Sequence, residues 1–164
     1  DVDTVELGTP MTCAEYTYGI QHFETFSVDR PLRHGDTFEL GGIEITCHHT
    51  PGHTPGCMSY TFDIECDGEQ RTVGLFGGPG LWTMLDEHIE LQGYQGARKD
   101  FARSLEYLEE LDVEIWLGAH PGQNTTFDKA QKLRAGESPN PFIDPEGWKV
   151  FIKSIRSNYE EHFG

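Results

Sequence analysis

A histidine enclosed by two Pro-Gly corners, within residues 48–56, constrains the fold more than any other feature of the chain. The stretch reads His-His-Thr-Pro-Gly-His-Thr-Pro-Gly and directly follows an alternating run at 43–46 that is typical of a β-strand. Proline fixes φ and glycine admits unusual backbone angles, so the loop holds His53 in a defined place. Because this fixed orientation lowers the entropic cost of binding an ion, we predict that His53 is a metal ligand. The alternative, a turn histidine bonded only to backbone, is less favoured.

A second histidine has similar surroundings. His120 lies within Gly-Ala-His-Pro-Gly at 118–122, after an apolar run at 113–117 that predicts a strand. Taken alone, His120 would also fit an ordinary surface loop. Together with His53, it predicts a metal site built on loops at the end of a sheet.

The remaining histidines carry weaker signals. His48 and His49 are adjacent, so in a strand they point to opposite faces, and we expect supporting or structural roles for them. The other four lack comparable surroundings and are expected to be exposed to solvent: His22, His34, His88 and His162.

Other chemistries fit the chain less well. The loop Gly-Gly-Pro-Gly at 77–80 lacks the Lys-Ser or Lys-Thr of a phosphate-binding loop, so it predicts a backbone bend beside a site. A Ser-His-Asp triad ranks low, because the chain has no Gly-x-Ser-x-Gly elbow. None of the four cysteines forms a Cys-x-x-Cys pair, which argues against a structural zinc knuckle. Cys47 and Cys57 are expected to be buried small residues.

The charge of the chain bounds its partners. Twelve Lys and Arg stand against 28 Asp and Glu, a net charge of −16. Such a field repels nucleic acid and anionic membranes, so we predict neither as a partner. No apolar run approaches the roughly 18 residues that span a bilayer. The chain begins Asp-Val-Asp without a methionine, so we expect its true N-terminus to lie upstream, and no compartment is predicted.

The first part of the chain predicts a meander of antiparallel strands. Residues 1–27 are weakly patterned, with a short strand suggested by Val2 and Val5 and a loop or lid at 15–26. Beyond them, turn residues separate alternating runs. These runs predict a hairpin over 37–47 around Gly41-Gly42, a strand at 57–64, a turn at Asp67-Gly68 and a strand at 71–76.

The second part predicts helix, strand and helix. Residues 81–96 are expected to be irregular, with one short helical turn. Apolar spacings of four and three predict a helix over 97–111, and a short helix is predicted at 127–134. Asp144 is a good N-cap and Pro145 suits the first position of a final helix. A helix must bury its apolar stripe against the sheet, so the chain predicts a layered α/β arrangement.

Several of these stretches, taken in order, resemble the metallo-β-lactamase fold, and specifically its subclass B3 β-lactamases and close hydrolase relatives. The resemblance covers residues 28–164, so the chain reads as one partial domain over 1–164. It is carried by these motifs: Val28-Asp29-Arg30-Pro31-Leu32, Gly35-Asp36, Leu40-Gly41-Gly42, Thr50-Pro51-Gly52-His53-Thr54-Pro55-Gly56, Gly118-Ala119-His120-Pro121 and Pro139-Asn140-Pro141-Phe142-Ile143-Asp144-Pro145.

The resemblance implies an αββα sandwich with two zinc ions at one edge. His53 would match the third histidine ligand of the first zinc, and His120 the histidine ligand of the second. Many relatives place an Asp or Cys ligand where this chain has Pro79; the B3 enzymes likewise lack a ligand at this position, so the departure fits that branch. The family's His-x-His-x-Asp-His motif has no match in the chain. The chain therefore resembles the C-terminal half of the sandwich, and no catalytic residue is assigned within it.

The function implied is that of a zinc-dependent hydrolase, in which metal-bound hydroxide attacks an amide or ester carbonyl. A β-lactam is the first candidate substrate, and this chain alone is expected to be inactive. Two alternatives stay open: a lactone, thioester or phosphoester hydrolase on the same fold, or a non-catalytic half-domain that serves in binding or assembly. The partners implied are a small-molecule substrate and either the missing N-terminal half or a second copy of the chain.

Overall fold

The computed structural model describes residues 2–7 and 24–164. Cys13, His22 and most of the predicted loop or lid at 15–26 lie outside the described residues. Helix α1 spans Val2–Leu7, so the strand suggested by the two valines is wrong. Val2 and Val5 are three residues apart, a spacing that also puts two side chains on one face of a helix.

In the part of the chain that the structure describes, five strands form a single sheet in chain order. The first three connections join antiparallel neighbours, and the last strand lies parallel to the fourth. The strands are β1 (Thr37–Leu40), β2 (Ile43–His49), β3 (Met58–Cys66), β4 (Glu69–Leu75) and β5 (Ile115–Leu117).

The predicted hairpin turns are confirmed. Leu40 pairs with Ile43 across Gly41 and Gly42, whose φ angles are 62° and 84°. Positive φ at both central residues defines the two-residue hairpin turn whose twist matches that of the flanking strands. Glycine adopts these angles without strain. The Asp67-Gly68 turn between β3 and β4 has the same property, with φ of 54° and 80°.

Strand direction brings three loops to one edge of the sheet. β2 and β4 both run antiparallel to β3, and β5 runs parallel to β4. The carboxyl ends of β2, β4 and β5 therefore share an edge. The loops that leave this edge contain His53, the Gly-Gly-Pro-Gly bend at 77–80, and His120.

The helices follow the meander. A 3₁₀ turn covers Trp82–Met84, and the α-helices after it are α2 (Asp86–Gln92), α3 (Ala97–Glu109), α4 (Thr126–Arg134) and α5 (Pro145–Phe163). Residues 81–96 are thus more helical than predicted. The predicted cap of α5 is confirmed, because the Asp144 carboxylate accepts a hydrogen bond from the Gly147 amide at 3.0 Å.

One face of the sheet packs against α3 and α5. Gly74 of β4 has no side chain, and Val113 packs into the space that one would occupy. A Cβ on Gly74 would lie 2.7 Å from a Val113 methyl carbon. Trp148 of α5 donates its indole N–H to the Leu108 carbonyl at 2.8 Å and joins the two helices. The buried residues of this core are Phe76, Met84, Ile89, Ala97, Phe101, Leu105, Leu108, Val113, Trp116, Trp148 and Ile152.

The opposite face of the sheet is apolar across all five strands. Side chains alternate between the faces, and the register aligns apolar residues in cross-strand rows. One row is Phe38, Ile45, Phe62, Val73 and Ile115; the next is Cys47, Tyr60, Leu75 and Leu117. Most of these side chains are only half-buried, although Cys47, Val73 and Ile115 are buried.

Candidate metal centre

The His53 ring is held through its Nδ1 atom. Nδ1 lies 2.9 Å from the Gly80 carbonyl oxygen and 3.1 Å from the Thr83 hydroxyl. A carbonyl can only accept a hydrogen bond, so Nδ1 carries the ring proton. Nε2 then bears the lone pair. Histidine ligands of metals show this arrangement, with one nitrogen donating to a carbonyl and the other left to coordinate.

The electrostatics of the loop favour the same form of the ring. Burial lowers the pKa of His53, and the hydrogen bond to Gly80 opposes this shift without overcoming it. The imidazole is therefore neutral near pH 7. A neutral imidazole is the form that binds metal ions.

Glycines at 78 and 80 let the backbone of the Gly-Gly-Pro-Gly bend pack closely against the His53 ring. A Cβ at Gly78 would lie 3.0 Å from the His53 Cβ, and one at Gly80 would lie 3.1 Å from its Cε1. The Gly-Gly-Pro-Gly segment therefore packs directly against the ring, as expected of a bend beside a site. The sequence motif is explained by close packing with His53 and requires no phosphate.

Helix α3 and the loop's own backbone fix the rest of the His53 loop. Ser104 donates its hydroxyl hydrogen to the Pro51 carbonyl at 2.7 Å, and Gly52 packs on Phe101. The Thr50 amide donates to the Cys57 carbonyl at 2.9 Å and closes the loop at its base. The loop is thus preorganised before any ligand arrives, which limits the entropy lost on binding.

The two histidines before the loop separate as predicted. His48 is buried, with Nδ1 2.6 Å from the Tyr107 hydroxyl and Nε2 2.7 Å from that of Thr61. Both ring nitrogens are occupied, so His48 is structural. His49 is exposed and donates from Nε2 to the Pro55 carbonyl at 2.7 Å.

The remaining histidines divide. His34 and His162 are exposed, as predicted. His88 is not, because its ring packs edge-on against Trp82 with centroids 5.0 Å apart. Trp82 in turn lies edge-on to His53, with centroids 5.8 Å apart. The expectation of an exposed His88 is wrong. Its ring is half-buried by a tertiary contact with Trp82, and the residues next to it in sequence give no sign of that contact.

His120 lies at the same sheet edge but is exposed. Its backbone amide lies 3.3 Å from the Gln123 side-chain oxygen, and its carbonyl accepts from the Gln123 amide at 3.0 Å. Asn124 is buried and donates from its side chain to the Trp116 carbonyl at 2.9 Å, which ties the loop to β5. The loop is a compact turn, and no hydrogen bond of the described residues links His120 to His53.

The described residues fit a zinc site in part. His53 is held as the Nδ1–H tautomer and burial lowers its pKa, and His120 is exposed at the same edge. Within residues 2–7 and 24–164, however, no group of three or more His, Cys, Asp or Glu side chains could hold an ion. Catalytic zinc takes three protein ligands and a water. The described residues alone therefore do not complete a catalytic zinc site.

The cysteines divide between buried and partly buried positions. Cys47 is fully buried, as predicted, whereas Cys57 is only partly buried and its sulfur lies 3.3 Å from the Thr54 hydroxyl. Cys57 also borders the site, because a Cβ at Gly78 would lie 2.7 Å from its sulfur.

The overall architecture is that of the metallo-β-lactamases. The chain aligns with native FEZ-1 metallo-β-lactamase from Legionella gormanii at a TM-score of 0.86, with 29% identity, over 99% of this chain and 61% of that one. For BJP-1, a subclass B3 metallo-β-lactamase of Bradyrhizobium japonicum, the TM-score is 0.83 and the identity 26%, over 99% and 60% of the two chains. The predicted fold and its resemblance to the B3 branch are confirmed.

Some of the similar sequences carry hydrolase names. A probable metallo-hydrolase of Burkholderia pseudomallei (strain 1710b) is 39% identical over 82 residues, which are 47% of this chain and 25% of that protein. A human hydroxyacylglutathione hydrolase-like protein is 40% identical over 57 residues, 34% of this chain and 19% of that protein. No protein-family model matches the chain.

The chain therefore spans about 60% of its structural neighbours and a smaller share of these two relatives. The names and the fold support a hydrolase of the metallo-β-lactamase superfamily. Among the described helices, none combines the length and the apolar character that crossing a membrane requires.

Sequence reasoning missed one contact of His53. Thr83 is 30 residues away in the chain, and a lone threonine in an irregular segment carries no signal of its own. The edge-on contact of Trp82 with His53 likewise follows only from the tertiary structure.

Proposed function

We propose that the chain forms part of a zinc-dependent hydrolase of the metallo-β-lactamase superfamily, with His53 and His120 each donating an imidazole to the metal centre. The observation that carries this proposal is the bond from His53 Nδ1 to the Gly80 carbonyl, which leaves Nε2 available. The common edge shared by the loops of His53 and His120 supports it.

Zinc, when bound, would supply Lewis-acid activation of a water for attack on a carbonyl. The chain's own residues contribute orientation. Gly80 holds the ring proton of His53, and Ser104 and Phe101 hold the loop on α3. A catalytic zinc needs more ligands than these two histidines, so we propose that the activity belongs to the whole protein.

We propose a β-lactam amide as the first candidate substrate, because the two solved structures compared above are β-lactamases. The test is zinc content and hydrolysis of the chromogenic cephalosporin nitrocefin by the full-length gene product. We expect bound zinc and turnover, with both reduced by His53→Ala and by His120→Ala. A full-length protein that holds no zinc would end the proposal.

A second candidate is hydrolysis of a thioester, with lactones and phosphoesters as further substrates of the same kind of site. The human relative named as hydroxyacylglutathione hydrolase-like favours it, because a hydroxyacyl group on the glutathione thiol is a thioester. A panel containing nitrocefin, S-lactoylglutathione, a lactone and a phosphodiester separates the two. Thioester cleavage without cephalosporin cleavage selects the second candidate.

A third candidate is not enzymatic: the chain is one partial domain that functions in assembly. The apolar rows on the sheet face opposite α3 and α5 favour it, because large exposed apolar patches are typical of interaction surfaces. Its occupant would be the other half of the sandwich or a second copy of the chain. Light scattering of the chain tests this directly, and a monodisperse monomer in which Phe62→Glu changes nothing would argue against it.

A further inference from the structure

Thr83 has a contact that its place in the chain does not explain. It lies in the 3₁₀ turn after β4, it is 4% exposed, and its hydroxyl is 3.1 Å from Nδ1 of His53. Its carbonyl accepts a hydrogen bond from the Gln92 side chain at 3.4 Å, which ties the turn to α2. Because the Thr83 hydroxyl is buried, few groups can bond to it, and the His53 imidazole is one of them.

Two acceptors face one ring proton. The Gly80 carbonyl, at 2.9 Å, requires a hydrogen on Nδ1, so the Thr83 oxygen shares that hydrogen from a second direction. A ring held from one direction can still rotate about its Cβ–Cγ bond. Two acceptors in different directions limit that rotation and so fix where Nε2 points.

The same pair of acceptors has more effect once a cation lies on Nε2. Coordination withdraws electrons from the ring, and Nδ1–H becomes a stronger donor. Hydrogen bonds from charged donors are stronger than neutral ones, so the second acceptor would contribute most with a metal ion bound.

We propose that Thr83 is a positioning residue for His53, whose hydroxyl acts with the Gly80 carbonyl to hold the Nδ1–H tautomer and the ring orientation that presents Nε2. Its relevance to chemistry rests on the proposed function. The orientation of the ring itself does not require a metal, so it can be measured without one.

The chain supplies a matched control. The Thr61 hydroxyl lies 2.7 Å from Nε2 of His48, which is also a threonine–histidine contact but lies outside the candidate site. Thr61→Val removes the hydroxyl that contacts His48, just as Thr83→Val removes the one that contacts His53. Only the second change should affect His53.

The experiment uses the full chain labelled with ¹⁵N-histidine and free of metal, at neutral pH. Long-range ¹H–¹⁵N spectra assign the tautomer of each ring. We expect Nδ1–H for His53 in the wild type. In Thr83→Val the Nε2–H fraction and the exchange rate of Nδ1–H should rise about 2- to 10-fold, the effect of one net hydrogen bond. Thr83→Ser should match the wild type, and Thr61→Val should change His48 alone.

Two results would overturn the proposal. One is a folded Thr83→Val protein whose His53 spectrum matches the wild type. The other is Thr83→Ser behaving like Thr83→Val, which would assign the effect to the lost methyl group. Backbone amide spectra confirm folding, and Thr83→Ala serves in place of Thr83→Val if the valine variant does not fold.

A zinc titration of the full-length protein separates this inference from the proposed function. Zinc that shifts the His53 resonances, with weaker binding in Thr83→Val, supports both. Zinc that leaves His53 unchanged overturns its role as a ligand, while the tautomer measurement still decides whether Thr83 positions the ring.

Discussion

Gly52 and Phe101 are in direct contact between the His53 loop and helix α3. A Cβ built on Gly52 would lie 2.5 Å from the Phe101 Cβ and 2.6 Å from its Cα. The φ of Gly52 is 139°, a backbone conformation that side-chain-bearing residues rarely adopt. The glycine of the Pro-Gly corner is therefore required both by its neighbour and by its backbone angle.

Gly52→Ala should destabilise the fold by about 2–4 kcal/mol, because the new methyl meets backbone that cannot move aside and φ becomes strained. Urea unfolding measures the loss. Gly122→Ala is the matched control in the His120 loop: a Cβ there meets no atom within 4 Å, and its φ lies outside the strained range. We expect the control to stay within about 0.5 kcal/mol of the wild type; equal effects at the two glycines would contradict this account.

Ile152→Ala in α5 should cost about 2–5 kcal/mol, because the side chain is fully buried in the core between the helices and the sheet. Val150 lies on the same helix and is 63% exposed. Val150→Ala should therefore change the free energy of unfolding by no more than about 0.5 kcal/mol. Chemical denaturation of the two variants side by side gives the comparison, and a large loss at Val150 would show that this face of α5 is covered.

Asp144→Ala should lower the stability by about 1 kcal/mol, the usual cost of losing an N-cap. The carboxylate accepts from the Gly147 amide, and Lys129 lies 3.4 Å away. Asp144→Asn keeps an oxygen for the cap and should retain most of the stability. Thermal unfolding distinguishes the variants, and a loss as large in Asn as in Ala would assign the effect to the charge.

Stability should fall in mild acid because of His48. Burial lowers the pKa of His48, and the neighbouring His34 lowers it further. A lowered pKa means that the fold disfavours the protonated ring, so this contribution is complete above the ordinary pKa of about 6.5 and declines as pH falls toward the folded-state value.

His34→Gln removes one cause of that shift. The variant should lose less stability than the wild type between pH 7 and pH 5, at matched denaturant. Unfolding free energies measured across that interval test the sign. Identical pH profiles for the two proteins would exclude coupling between the two rings.

Much of the fold could be predicted because its signals are local. Gly41-Gly42 and Asp67-Gly68 specify hairpin turns through their own φ preferences, and Asp144 with Pro145 specifies a helix start. Helix α1 was not predicted from its sequence. Val2 and Val5 fit a strand or one face of a helix equally, and so short a segment contains nothing else to decide between them.

The candidate site was predictable only in outline. The Pro-Gly corners pointed to His53 and His120 as ligands, and this assignment stays a prediction. The half-buried position of His88 could not be foreseen, because it depends on Trp82 packing between two rings. Thr83 could not be foreseen either, since it meets His53 through the connection that follows β4.

The sequence by itself determined where the chain turns, where its final helix begins and which histidines occupy stiff loops, since each of these depends on residues next to one another. Only the tertiary structure decided which nitrogen of His53 carries the proton, that His48 is structural, and that one face of the sheet is apolar across all five strands. Hydrogen bonds and burial join residues far apart in the chain, and local preferences carry no information about such partners.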